Sequence, residues 1–184
     1  MKRLFFVITL VVICCSCGSS TKGSCLKPEP PKRQGWDLFG LYGDVESVVI
    51  TSYELKEKFG EVVRGDMESY VRYYFNEAGD VIEVASYDSD GSLDEKNIYK
   101  YDSAGNRIEG AYYDSDGSLD WKLTCKYDSA GNCIEEAYYN SNGSLDEKYI
   151  CKYDSAGNRI EEAAYSGESL IPESQIVYEI TYRK

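Results

Sequence analysis

Residues 101–108 read YDSAGNRI, residues 127–134 read YDSAGNCI, and residues 153–160 read YDSAGNRI again, at a spacing of 26 residues. One period upstream, residues 75–82 carry a divergent copy, FNEAGDVI. A second motif alternates with the first: YDSDGSLDEK from Tyr87, YDSDGSLDWK from Tyr113 and YNSNGSLDEK from Tyr139. Its fourth counterpart, from Tyr165, has decayed to YSGESLIPES, as terminal repeats commonly do.

A period of this length also suits a helical solenoid, so the local pattern decides. The motifs hold Asp or Asn, then Ser, then any residue, then Gly. That is a type I turn with glycine in the left-handed position, a three-residue hairpin loop. Such turns return every 12 or 14 residues, too often for helices. The stretches between them are rich in Tyr, Ile, Glu and Lys and alternate with period two. The fold is read as all-β, an antiparallel β-meander of 26-residue double-hairpin repeats forming an extended, twisted or curled sheet. The repeats fall at about 73–98, 99–124, 125–150 and 151–176. Upstream, Val45–Leu55 and Met67–Phe75 are expected to pair around a turn near Phe59-Gly60, and Gln175–Tyr182 to form the last strand. The total is about eleven strands, with no amphipathic helix to cover them.

The turns also suggest a register. If Asp128 closes against Asn132, Tyr127 faces Cys133; if Asn140 closes against Ser144, Tyr139 faces Leu145. Continued unbroken, this puts Leu119, Trp121, Leu123, Cys125, Ala137, Tyr149 and Cys151 on one drier face. Lys122, Lys126, Ile134, Glu136, Tyr138, Lys148 and Lys152 lie on the other, with Glu136 directly across from Lys148. Cys133 and Cys151 then oppose each other as a non-hydrogen-bonded pair, about 4.5 Å apart at Cα, within disulfide reach. A Cys133–Cys151 disulfide is therefore expected. Two free cysteines filling Arg and Tyr positions of the repeat are the alternative. Cys125 and Cys151 lie two strands apart, too far to bridge.

The YDSAGNRI motif resembles the YD repeat of the RHS and teneurin families. Tyr101-Asp102, Tyr127-Asp128 and Tyr153-Asp154, with Gly105, Gly131 and Gly157, carry the likeness over roughly Tyr73 to Tyr165. The resemblance implies a curved β-sheet on a cell surface or in the periplasm. About four repeats, where that family has dozens, are too few for its closed shells.

The N-terminus, MKRLFFVITLVVICCSC, has a basic start at Lys2 and Arg3 and an apolar run from Leu4 to Ile13. The run is shorter than the roughly 20 residues a spanning helix needs and fits a secretory signal. It resembles a bacterial lipoprotein signal, residues 1–16, with Cys17 as the acylated cysteine. Cys15 is the competing choice, and an ordinary secreted chain is the alternative. Residues 17–35 then comprise the acylated cysteine and a Gly/Ser/Pro-rich tether, which would hold the repeat domain, 36–184, roughly 20–25 Å from the lipid. The expected location is the cell envelope, most simply the outer membrane, facing the periplasm or the surface.

Composition narrows the function. The 184 residues carry 32 acidic against 20 basic side chains, a net charge of −12, so nucleic acid is a poor partner. There is no histidine, which removes His-dependent triads and most zinc sites. Asp88, Asp90 and Asp94, and Asp114, Asp116 and Asp120, have a spacing reminiscent of calcium loops, but turn chemistry alone explains them. No cofactor or metal is expected. Adjacent pairs such as Glu135-Glu136 and Glu161-Glu162 point to opposite faces of a strand and do not converge. The reading is non-enzymatic: a structural or protein-interaction surface for an envelope protein, or a glycan-binding surface. For the latter, Trp121, Tyr112 and Tyr138 form the candidate platform. Trp121 alone breaks its pattern, replacing the Glu95 and Glu147 of neighbouring copies.

Overall fold

The computed structural model describes residues 35–183. The signal, Cys17, Cys25 and nearly all of the tether lie outside the described residues. Ten strands form one antiparallel sheet in strict sequence order. They are β1 (Ser47–Lys58), β2 (Glu61–Phe75), β3 (Val81–Asp88), β4 (Leu93–Tyr101), β5 (Arg107–Tyr113), β6 (Leu119–Tyr127), β7 (Cys133–Asn140), β8 (Leu145–Tyr153), β9 (Arg159–Ser166) and β10 (Ser174–Val177). The sheet is a single open layer, with β1 and β10 as its edges. One four-residue helix, α1 (Trp36–Phe39), precedes it; no helix among the described residues is long and apolar enough to cross a membrane.

The turns have the chemistry their sequences call for. In the first motif the Asp102 carboxylate accepts from the amides of Ala104 and Asn106, both at 2.9 Å, while Gly105 adopts φ 87°. Asn106 donates its side-chain amide back to Asp102 at 2.9 Å. In the divergent first copy the pair is exchanged: Asn76 accepts the two amides and donates to Asp80. The second motif locks two residues later, Asp116 accepting from the Ser118 amide at 2.8 Å. The turn between β1 and β2 differs. Phe59 and Gly60 both have positive φ, 56° and 82°, the two-residue hairpin form.

These hydrogen bonds hold the Asp102 and Asp128 carboxyls below the ordinary Asp range. The Tyr182 hydroxyl, with the turn's own donors, takes Asp154 down to about 2. A carboxyl whose folded pKa lies below its unfolded value contributes stability above the unfolded pKa and loses it as pH falls through the folded one. Melting temperature is therefore expected to hold down to about pH 4 and to fall between there and about pH 2. A flat profile across that interval in circular-dichroism melts would contradict the turn locks.

The closing pairs follow the turn chemistry: Tyr127 faces Cys133 and Tyr139 faces Leu145. One step further in, the outgoing strand carries a bulge and the register slips by one residue. Lys126 pairs with Glu135, and Tyr138 with Glu147. The slip recurs at the same place in every hairpin from β2–β3 to β8–β9. A one-residue slip exchanges the faces, so the unbroken register expected from the turns is corrected. Lys148 lies opposite Ala137, not Glu136, and Tyr149 is the residue opposite Glu136. Glu135 instead pairs with Lys126 at 2.7 Å. Direct opposition of Cys133 and Cys151 is lost, and with it the geometric ground for their bridge; Cys125, Cys133 and Cys151 are all free.

The single drier face is likewise replaced by two mixed ones. One buries Tyr99, Leu123 and Cys125; the other buries Ala85, Ala111, Ala137 and Ala163. Ala111, for example, lies between Ile98 and Lys122 on the flanking strands, and the lysine stem can help cover it. Lys100, Lys122, Lys126 and Lys152 pair on this second face with Glu109, Glu135 and Glu161.

The tyrosines that open the YD motif act through their hydroxyls as well as their rings. Tyr101 donates to the Val81 carbonyl at 2.8 Å, Tyr127 to Arg107 at 2.9 Å and Tyr153 to Cys133 at 2.9 Å. Each bond joins one copy of the motif to the copy before it, which a stacking role alone would not require. Replacing Tyr127 with Phe is expected to cost about 0.5–1.5 kcal/mol, measured by chemical denaturation. No change would mean that the ring alone matters.

The largest apolar cluster lies at the N-terminal end. Phe75, Val81 and Tyr99 form its buried centre, and Trp36, Phe39, Leu41, Val45 and Val48 pack over them. The Trp36 indole donates to the Val45 carbonyl at 2.9 Å. The expected last strand is cut short: β10 ends at Val177. Tyr178 still donates to Ile160, but β9 begins at Arg159, so the chain beyond has no partner strand to continue along. Ten strands are present, against about eleven read from the sequence.

Candidate functional site

The face that buries Tyr99 and Leu123 carries a continuous row of aromatic rings across five strands. Tyr99 meets Tyr112 edge-on, with centroids 6.2 Å apart. Tyr112 stacks on Trp121 at 3.5 Å and 13°. Trp121 lies 5.9 Å from Tyr138, which meets Tyr149 edge-on at 6.0 Å. The bulges build this row. Without the slip in the β6–β7 hairpin, Tyr138 would lie on the face opposite Trp121.

Glycine makes room for it. Gly110 stands where the next two copies carry Glu136 and Glu162. A Cβ at Gly110 would come within 3.2 Å of the Tyr112 ring and 3.5 Å of Tyr99. The bare backbone thus lets both rings lie against the strand, and Tyr112 then presents its face to Trp121. Beside the row is a depression of about 370 Å³, lined by Asp120, Trp121, Tyr138, Tyr139, Asn140, Asp146 and Glu147.

Burial holds the phenols neutral. It raises Tyr112 above the ordinary range, and with help from Glu136 it pushes Tyr138 up to about 12. Tyr149 is raised chiefly by its hydrogen bond to Glu147, donated at 2.8 Å. The surface therefore offers uncharged flat rings bordered by carboxylates. Such a surface can stack on an apolar ring face or pack against an extended side chain.

Of the candidate residues, Tyr112, Trp121 and Tyr138 come together in direct ring contact. Tyr99, Tyr149 and Gly110 complete the row and were not foreseen. Gly110 had a readable signal, since it stands where the two following copies carry Glu136 and Glu162. Of the carboxylates with calcium-loop spacing, Asp90 accepts from both the amide and the hydroxyl of Ser92, and Asp116 accepts from the Ser118 amide.

No protein-family model matches the chain, and no curated protein matches it. Among solved structures it is similar to a protein of unknown function from Bacteroides fragilis, at 15% identity and a TM-score of 0.37. That likeness covers 72% of this chain and 93% of the other. It is also similar to part of the Photorhabdus luminescens Tc holotoxin pore, at 14% identity and a TM-score of 0.23. There it covers 55% of this chain and only 8% of the toxin chain. A complex of TcdB2 with TccC3 gives 13% identity and a TM-score of 0.24, over 64% of this chain and 9% of that one.

Proposed function

We propose that the chain is a cell-envelope lipoprotein, anchored through Cys17, whose YD-like repeat sheet serves as a non-catalytic interaction surface for another envelope protein. One observation carries this reading: five aromatic rings in series lie on one face of a single-layer sheet, and among the described residues no second layer covers them. Domains bury such a row against a second layer where they need it for their own core. Here the N-terminal segment covers Phe75 and Tyr99, and the row runs on beyond that cover to Trp121, Tyr138 and Tyr149. The lipoprotein part rests on the sequence of residues 1–17, and the YD likeness on the three YDSAGN copies.

Trp121→Glu tests it. The neighbouring copies carry Glu95 and Glu147 in this place, so the strand accepts the change. The loss of the Tyr112 stack is expected to cost about 0.5–1.5 kcal/mol, leaving a folded chain. An envelope protein that co-purifies with the native chain should be lost from the folded variant. Undiminished co-purification would count against the aromatic face.

The depression beside Trp121 favours a second reading, a carbohydrate-binding lipoprotein that stacks sugar rings on Trp121, Tyr112 and Tyr138. A glycan array bound by the native chain and not by the Trp121→Glu variant would select it.

A further inference from the structure

Three positions on the ring-bearing face recur in every repeat: the third-last residue of one strand, and the first and fourth residues of the next motif strand. In the first copy they are Tyr73, Val81 and Val84, all part of the apolar cluster. In the second they are Tyr99, Arg107 and Gly110, with the Arg107 guanidinium over the Tyr99 ring at 5.5 Å. In the fourth they are Cys151, Arg159 and Glu162. There the guanidinium lies 2.5 Å from the Glu162 carboxylate and 3.9 Å from the Cys151 sulfur. The same cradle is thus filled by apolar packing, by a cation over a ring, and by a cation between a thiol and a carboxylate.

The third copy has Cys125, Cys133 and Glu136. Its carboxylate and first thiol, Glu136 and Cys125, match the fourth copy's Glu162 and Cys151, but Cys133 stands where that copy has Arg159. The two sulfurs and a Glu136 oxygen lie within 4.8 Å of one another. Cys133 Sγ is 3.8 Å from Glu136 Oε1. Among the described residues Glu136 forms no salt bridge, whereas Glu109, Glu135, Glu161 and Glu162 all do.

We infer that Cys125, Cys133 and Glu136 form a binding site for a thiophilic divalent cation, Zn²⁺ in the first instance, which takes the place the arginine guanidinium holds in the next repeat. Zinc binds thiolate at about 2.3 Å and carboxylate at about 2.0–2.2 Å in a tetrahedron, which puts ligand atoms roughly 3.5–3.8 Å apart. The side chains need only small rotations to reach that spacing. A disulfide is the less suited outcome. Cys125 faces Glu136 while Cys133 faces Tyr127, so the two cysteines are diagonal. Diagonal neighbours sit about 7–8 Å apart at Cα, beyond the usual disulfide span of about 4.4–6.8 Å. Binding replaces the two thiol protons, which pass to buffer, with one cation held by two thiolates and a carboxylate. The fourth position is left to water or an exogenous ligand.

The test is zinc titration of the reduced full-length chain under anaerobic conditions, with cobalt as a spectroscopic substitute. The native chain should take up one equivalent at this site and show thiolate-to-cobalt charge-transfer bands. Cys133→Arg restores the residue of the neighbouring copies, so it should fold, as melting will verify, and should lose that equivalent. Glu136→Gln should weaken binding about tenfold or more. Cys25→Ser should keep it, which separates this site from the N-terminal cysteines. Equal uptake by the native chain and Cys133→Arg, or no uptake by the native chain, would overturn the inference. So would a Cys125–Cys133 disulfide in protein isolated from zinc-replete cells.

Discussion

Phe75→Ala is expected to remove about 3–5 kcal/mol of stability, the largest single loss in the described chain. Phe75 is 5% exposed at the centre of the main apolar cluster, and its ring meets Phe39 edge-on at 6.2 Å. A single-layer sheet has few places to redistribute such a cavity, because most of its side chains touch solvent. The identity of the residue is also informative. The later copies place Tyr101, Tyr127 and Tyr153 here, each with its hydroxyl bonded to the copy before it. The first copy has no repeat before it and uses Phe, which needs no hydroxyl partner beneath the N-terminal cover. Denaturant unfolding should show the full loss. A change below about 1 kcal/mol would mean that the cluster does not hold the sheet's first hairpins together.

Gly79→Ala should have the second-largest effect, and its comparison with Gly105→Ala gives it meaning. Both glycines have positive φ, 85° and 87°, and an alanine in that region costs roughly 1–2 kcal/mol. A Cβ on Gly105 meets nothing, but one on Gly79 comes within 2.8 Å of the Trp36 indole. Trp36 is docked there by its amide, which donates to the Gly79 carbonyl at 3.2 Å. Gly79→Ala should therefore add the displacement of Trp36 to the backbone strain, a further 1–3 kcal/mol or so. Trp36 fluorescence should shift toward that of an exposed indole in Gly79→Ala and stay unchanged in Gly105→Ala. Equal destabilisation by the two substitutions would show that the N-terminal cover contributes little.

The hairpin chemistry was legible because it is local. Asp, Asn, Ser and Gly at fixed offsets specify both the turn and its first cross-strand pair, hence Tyr127 opposite Cys133. The bulge one step later has no residue signature of its own. Ile134 and Asp146 look like ordinary strand residues, and only the ladder hydrogen bonds reveal the slip. Because one residue of slip exchanges the faces, a small omission redirected Glu136, Ala137 and Tyr138 together and took Cys133 out of direct opposition to Cys151. The candidate platform of Trp121, Tyr112 and Tyr138 was named from side-chain type and from a break in the repeat. Its assembly into a row depends on the bulge and on Gly110. The N-terminal cover was the least legible part. A four-residue helix has no periodicity to detect, and Trp36 finds its partners in hairpins some forty residues away.

The central claim is that the face bearing Trp121 is the recognition face and that the lysine-glutamate face is not. Photo-crosslinking from single positions in the native envelope tests it directly: a photoreactive phenylalanine analogue at Trp121 on one face, or at Tyr165, opposite Lys148, on the other. The account predicts a discrete crosslinked species from position 121 and none from position 165. The same species from both positions, or from position 165 alone, would contradict it.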